Sequence, residues 1–166
     1  MPAAFLGLGS NLGRREESLA RALGLLEGSG FRIARQSALY ETAPVGGPPQ
    51  GDFLNQVACG EWNDSPEALL EACLAAERAL GRVRLERFGP RTLDVDVLLM
   101  GDLVRDAPPP VVPHPRLHER RFVLVPLVEI APEVRHPRLG LTACELLERC
   151  FDTSRVAPYA VAERRR

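Results

Sequence analysis

Apolar residues in this chain follow two spacings, and the change from one to the other marks the elements. Residues 3–8 form a short apolar run that predicts a strand, followed by the turn Gly9-Ser-Asn-Leu-Gly13. Residues 18–26 carry Leu19, Ala22, Leu23, Leu25 and Leu26, a helical pattern that ends near Gly28-Ser-Gly30. Residues 31–40, with Ile33 and Leu39, predict a strand. Residues 41–52 hold Pro44, Gly46, Gly47, Pro48, Pro49 and Gly51 and predict a loop. A second strand follows over residues 53–62. Asp64-Ser-Pro-Glu-Ala then opens a helix, with Ser65 as N-cap and Pro66 in the first turn, running to about Leu80 and stopping at Gly81. Residues 83–90 form an arginine-rich loop, and residues 93–100 a buried strand.

The order strand, helix, strand, strand, helix, strand is that of a ferredoxin-like α+β fold, an antiparallel sheet with helices packed on it. The remainder is less regular. Residues 107–113 are extended, 117–121 predict a helical turn, 122–130 are apolar, and 142–150 predict a short helix. Residues 154–166 read as a tail, completing a C-terminal extension. Neither an internal repeat nor a linker divides the chain, so residues 1–166 are expected to form one domain.

Candidate chemistry concentrates in Arg91-Thr-Leu-Asp94-Val-Asp96. In a strand, residues two apart share a face, so Asp94 and Asp96 project side by side, with Leu98 and Met100 continuing that face. Carboxylates on an apolar face need a partner or a shifted pKa. A hard divalent cation such as Mg²⁺ suits them. A strand with a wet end explains the pair equally well on its own. The upstream arginines tip the balance: Arg78, Arg82, Arg84, Arg87 and Arg91 supply the cations that polyphosphate chemistry needs beside carboxylates for metal.

Composition narrows the classes. All 21 basic residues are arginine, which excludes a Walker A loop and Schiff-base chemistry. Phosphate, if bound, falls to arginine and backbone N–H groups. A net charge of −1 gives no global attraction to nucleic acid or anionic membrane. No run reaches transmembrane length, and the first residues lack signal-peptide character. Cys59, Cys73, Cys144 and Cys150 have no regular spacing and read as small buried hydrophobes in a reducing cytoplasm.

Three weaker constellations remain. Gly7-Leu-Gly9-Ser-Asn-Leu-Gly13 is one residue too long for a plain dinucleotide fingerprint, and a tight turn explains it better. His114 sits between Pro113 and Pro115, close to Arg116, Arg120 and Arg121; His114 and Arg120 are candidates for phosphate, whereas Arg116 and His118 read as a solvated turn. Phe53 and Asn55 share a strand face, an aromatic ring beside an amide, which suits a flat heterocycle as well as an ordinary core position.

Taken together, several segments resemble the 6-hydroxymethyl-7,8-dihydropterin pyrophosphokinase family. They are Leu8-Gly-Ser-Asn-Leu-Gly13, Tyr40-Glu-Thr-Ala-Pro-Val-Gly46, Asp52-Phe-Leu-Asn55, Gly81-Arg-Val-Arg84, Phe88-Gly-Pro-Arg-Thr-Leu-Asp-Val-Asp96, Pro113-His-Pro-Arg116, Arg120-Arg-Phe-Val-Leu124 and Pro126-Leu-Val-Glu-Ile-Ala-Pro132. The resemblance implies transfer of the pyrophosphoryl group of ATP to the pterin hydroxymethyl oxygen, with release of AMP. It implies that Asp94 and Asp96 hold two Mg²⁺ ions and that Phe53 and Phe122 sandwich the pterin. Asn55 would bond the pterin's amide edge, near Thr42, Pro44, Val45 and Gly46. Arg82, Arg84, Arg91, His114 and Arg120 would contact phosphates, Glu77 the nucleotide, and residues 82–90 would close over the site. Phe53 and Phe88 stand where other members can carry Tyr and Trp. A monomeric cytoplasmic enzyme acting on small molecules is expected, without nucleic-acid or membrane partners. The alternatives are a non-catalytic ferredoxin-like binding module and a nicotinamide-dependent oxidoreductase using the glycine turn.

Overall fold

Strands buried on both faces form the middle of this protein, and helices cover them on either side. The computed structural model describes residues 3–81 and 92–160. In chain order the elements are β1 (Ala3–Ser10), α1 (Arg15–Gly28), β2 (Arg32–Gln36), β3 (Tyr40–Thr42), β4 (Phe53–Glu61), α2 (Pro66–Ala79), β5 (Asp94–Met100), a 3₁₀ turn (Leu117–Glu119), α3 (Arg121–Ile130), α4 (Ala143–Glu148) and β6 (Val156–Pro158). The sheet runs β5-β1-β4-β3-β6, with β2 also paired to β4. Every pairing is antiparallel. The protein is thus α+β with an antiparallel sheet. Helix α1 joins β1 to β2 and α2 joins β4 to β5, so each helix spans an intervening strand of opposite direction.

Local sequence sets the helix starts. The Ser65 hydroxyl accepts the Ala68 N–H at 3.1 Å, and Pro66 occupies the first turn, where a missing N–H costs nothing. At α4, Thr142 and Glu145 bond each other's backbone in a capping box. Helix α1 buries Leu19, Ala22, Leu23 and Leu26, and α2 buries Leu69, Cys73 and Ala76. With Leu6, Leu8, Leu54, Val95 and Val97 they close one core. A second core on the opposite sheet face joins Phe5, Val57, Leu98 and Leu99 to Leu124 and Leu127 of α3 and Leu146 of α4.

Several expectations change. The single strand over residues 31–40 is broken into β2 and β3. At the break the Ser37 hydroxyl accepts the Val57 N–H, and its carbonyl accepts from the buried Gln56 amide. The ladder is thus continued by a side chain. Met100 does not share the aspartate face: the β1–β5 register shifts at Phe5/Leu6, leaving an extra residue in β5, and Met100 enters the first core while Leu98 and Leu99 enter the second. The apolar run 122–130 is the helix α3, despite Pro126 inside it. Of the expected tail, residues 156–158 form β6 against β3. Cys59 and Cys73 are buried as expected, but Cys144 is exposed. Among the described residues no helix is long and apolar enough to cross a membrane.

Candidate active site

The register of the three central strands builds the site. Gly9 of β1 lies opposite Asn55 of β4 on one side and Asp94 of β5 on the other. Gly7 lies between Val57 and Asp96 in the same way. Directly opposed residues share a sheet face, so Phe53, Asn55, Gly7, Gly9, Asp94 and Asp96 all face the side covered by α3. Two strand spacings separate Asn55 from Asp94, roughly 10 Å between backbones. The glycines leave a bare floor between an amide-and-aromatic end and a carboxylate end. At Gly9 the approach is close: a Cβ there would stand 2.6 Å from Asn55 Oδ1.

A cavity of about 310 Å³ opens over this floor. Thr42, Pro44, Val45, Phe53, Asn55 and Phe122 line one end. Asp94, Asp96, Glu77, His114 and Arg120 line the other. Gly46 stands outside the lining. Arg82, Arg84 and Arg91 lie outside the described residues, as does the loop 82–90. Arg116, read as a solvated turn residue, lines the cavity, and so do Gln50 and, from α2, Leu70 and Leu74. The spacing of Leu70, Leu74 and Glu77 on one helical stripe is the signal that could have disclosed them.

Each polar group is held from behind. Asn55 Nδ2 donates to Thr42 Oγ1 at 2.6 Å, which leaves Oδ1 over Gly9. Glu77 is 5% exposed, and its Oε2 accepts the Val95 N–H at 3.0 Å, between the two aspartates on the outer edge of β5. The His114 N–H donates to the Leu98 carbonyl at 2.9 Å. His114 Nδ1 accepts the Arg116 N–H at 3.1 Å. Burial, then the neighbouring Arg120 and Arg116 charges, pull the His114 pKa down to about 4. The ring is therefore neutral near pH 7, and with Nδ1 accepting, its proton sits on Nε2. The Arg120 guanidinium stacks over Phe122 at 5.6 Å from the ring centre.

Among the described residues no three His, Cys, Asp or Glu side chains cluster as a protein-only metal site. Asp94 and Asp96 nevertheless fit Mg²⁺, which keeps several waters and typically takes one or two carboxylates plus substrate phosphates. A dinucleotide turn does not fit: Gly7 and Gly9 are inside β1, and only Gly13, at φ 67°, makes a turn.

Comparison with known proteins gives the family and the fold. A sequence model of the family described as 7,8-dihydro-6-hydroxymethylpterin-pyrophosphokinase (HPPK) matches residues 5–132. A 2-amino-4-hydroxy-6-hydroxymethyldihydropteridine pyrophosphokinase of Synechocystis sp. is 40% identical over 158 residues, covering 95% of this chain and 80% of that protein. One of the same name from Methylorubrum extorquens is 45% identical over 135 residues, covering 81% and 85%. The fold is similar to that of Plasmodium falciparum HPPK-DHPS wild type, with a TM-score of 0.67 at 15% identity over 89% of this chain and 44% of that chain. It is likewise similar to an HPPK-DHPS in complex with substrates, with a TM-score of 0.67 at 12% identity over 89% and 43%. At these identities the likeness concerns the fold alone, and this chain spans less than half of either longer chain.

Proposed function

Because this chain belongs to the 7,8-dihydro-6-hydroxymethylpterin-pyrophosphokinase family, we propose a division of labour among its own residues for that family's reaction. The reaction is pyrophosphoryl transfer from ATP to the hydroxymethyl group of 6-hydroxymethyl-7,8-dihydropterin, a step of folate biosynthesis that releases AMP. The scaffold is best read as a ferredoxin-like sheet elaborated by α3, α4 and β6. Residues 1–166 are read as one catalytic unit, working as a monomer.

Phe53 and Phe122 take the flat pterin between their rings. Asn55, locked by Thr42, offers Oδ1 to a ring N–H, and Thr42, Pro44 and Val45 border that edge. The hydroxymethyl group then points along the glycine floor toward Asp94 and Asp96. These carboxylates would hold Mg²⁺, two ions in our reading. The ions would neutralise phosphate oxygens and orient attacking and transferring groups. His114 presents a neutral Nε2–H to a phosphate oxygen, and Arg82, Arg84, Arg91 and Arg120 supply charge to the others. Glu77 stands on the nucleotide side while fixing the backbone between the aspartates. Catalysis of this kind is mostly positioning and charge neutralisation.

The observation that supports this reading is the row Asn55–Gly9–Asp94, which puts the Asn55 amide and the carboxylates on one sheet face, in the wall of one cavity. Incubation with Mg²⁺, ATP and the hydroxymethyl dihydropterin tests it. AMP and the pterin diphosphate are expected in equal amounts; ADP, or no pterin-dependent product, overturns it.

A further inference from the structure

The loop 43–52, whose Ala43, Pro44, Val45 and Gln50 line the cavity, is fastened at both ends to the start of α1. Arg15 does this with one guanidinium. Its Nη2 donates to Glu41 Oε2 at 2.9 Å, just before the loop. Its Nη1 donates to the Asp52 carbonyl at 2.9 Å, where the loop returns. Asn11 adds a second tie from the β1–α1 turn, donating to Gln50 Oε1 at 2.8 Å and the Gly51 carbonyl at 3.1 Å. The Arg15 and Glu41 side chains are only 25% and 33% exposed, so water competes weakly for the pair.

The far C-terminal segment backs this fork. The Tyr159 ring lies under the Arg15 guanidinium at 5.6 Å from its centre, and the Glu16 carboxylate raises the pKa of its hydroxyl. The Tyr159 N–H donates to the Leu39 carbonyl at 2.9 Å, which continues the pairing of β6 with β3. β3 itself ends at Thr42, in the cavity wall.

We propose that Arg15 is a positioning residue for the dihydropterin, joining the two ends of the loop 43–52, and that Tyr159 on β6 acts through it as a backstop. Neither residue lines the cavity, so neither touches substrate; both act on where Thr42 to Val45 and Gln50 stand. The fork matters because a planar guanidinium can serve two acceptors at a fixed angle, whereas an ammonium is a point charge. Tyr159 narrows the orientations open to Arg15 and shields its face from water. The extension of the chain past α4 would then set substrate affinity, although it lies on the far side of β3.

The inference rests on the dihydropterin reading of that end of the cavity, and the test separates the two. Full-length wild type, Arg15→Lys, Arg15→Ala, Tyr159→Ala, Tyr159→Phe and the Arg15→Ala/Tyr159→Ala double variant are compared. Steady-state kinetics gives KM for each substrate, and calorimetry gives binding of the hydroxymethyl dihydropterin. Arg15→Lys is expected to raise the dihydropterin KM about tenfold, the loss of one charge-assisted hydrogen bond. Its ATP KM and melting temperature should stay near wild type. Tyr159→Ala should raise the dihydropterin KM in the same direction by less, and Tyr159→Phe should restore it. The double variant should be no worse than Arg15→Ala alone, since Tyr159 has nothing left to act on. If Arg15→Ala does not fold, the same cycle is read in the Arg15→Lys background. Equal rises in both KM values, or fully additive effects, overturn the inference while leaving the proposed function intact. Wild type that binds no dihydropterin overturns both.

Discussion

At Gly9 the absence of a side chain is what the site needs, since it leaves the path between Asn55 and Asp94 open. Gly9→Ala would bring a Cβ to 2.6 Å from Asn55 Oδ1. Asn55 would have to leave Thr42 or the alanine would block the floor. We expect dihydropterin affinity to fall about tenfold, roughly 1.4 kcal/mol, with little change for ATP. Calorimetry with each ligand decides it, and unchanged dihydropterin binding would refute the close approach. His114 gives a prediction in pH. Its pKa falls from the ordinary 6.5 to about 4 on folding, through burial and the nearby arginines. As pH drops through 6.5 the unfolded chain takes up a proton that the folded protein refuses until near 4. Stability is therefore fully present above pH 6.5 and lost as pH falls toward 4. Urea midpoints of wild type and His114→Gln should shift in favour of the variant between pH 7 and pH 4.5; parallel midpoints would show that His114 is not held neutral.

Between elements, side-chain hydrogen bonds add to the packing of the two cores. Glu129 near the end of α3 accepts the Ala38 N–H and the Tyr40 hydroxyl, so α3 is tied to the break between β2 and β3. That hydroxyl is pushed up to about 12 by burial and by the Glu129 carboxylate. β2 lies so close to β4 that a Cβ on Gly60 would stand 2.2 Å from the Arg32 carbonyl oxygen. Backbone cannot give as a flexible side chain can. Gly60→Ala should therefore cost about 2 kcal/mol, the scale of overpacking, and peel β2 from the sheet before the rest. Urea unfolding reads the loss, and hydrogen exchange at Ile33 and Arg35 locates it. A loss under about 0.5 kcal/mol, the range of harmless surface changes, would mean that β2 is loosely seated.

For the molecule as a whole, the two cores close on either side of the sheet through side chains alone. On the proposed assignment, metal would be required for chemistry and not for folding. A chelator should abolish turnover while leaving the melting temperature of the ligand-free protein within about 1 °C, less than the shift produced by 1 kcal/mol at this size. Asp96→Ala should behave like the chelated enzyme, folded but nearly inactive even in excess Mg²⁺. Turnover close to wild type in that variant would remove the metal assignment.

Much of this was legible in the chain because it depends on neighbours along it. Ser65 and Pro66 announce α2, and period two places Phe53 beside Asn55 and Asp94 beside Asp96, whatever the strands later pair with. Residue type also carried the exclusion of lysine chemistry. What pairing decides was not legible. Met100 leaves the aspartate face because a register shift against β1 inserts a residue, and no periodicity within β5 records its partner's register. Gly7 and Gly9 read as a turn because a glycine's role as bare floor exists only once Asn55 and Asp94 flank it. Helix α3 was hidden by Pro126, although Val123, Leu124, Leu127 and Ile130 keep helical spacing. β6 has too few residues to signal a strand and exists because β3 offers it an edge. The sequence by itself determined the chemistry available, two carboxylates, an amide beside an aromatic ring and an all-arginine cation supply, since these are properties of residues. Only the tertiary structure decided which of them meet, because opposing strands are brought together by hydrogen bonds between segments far apart in the chain.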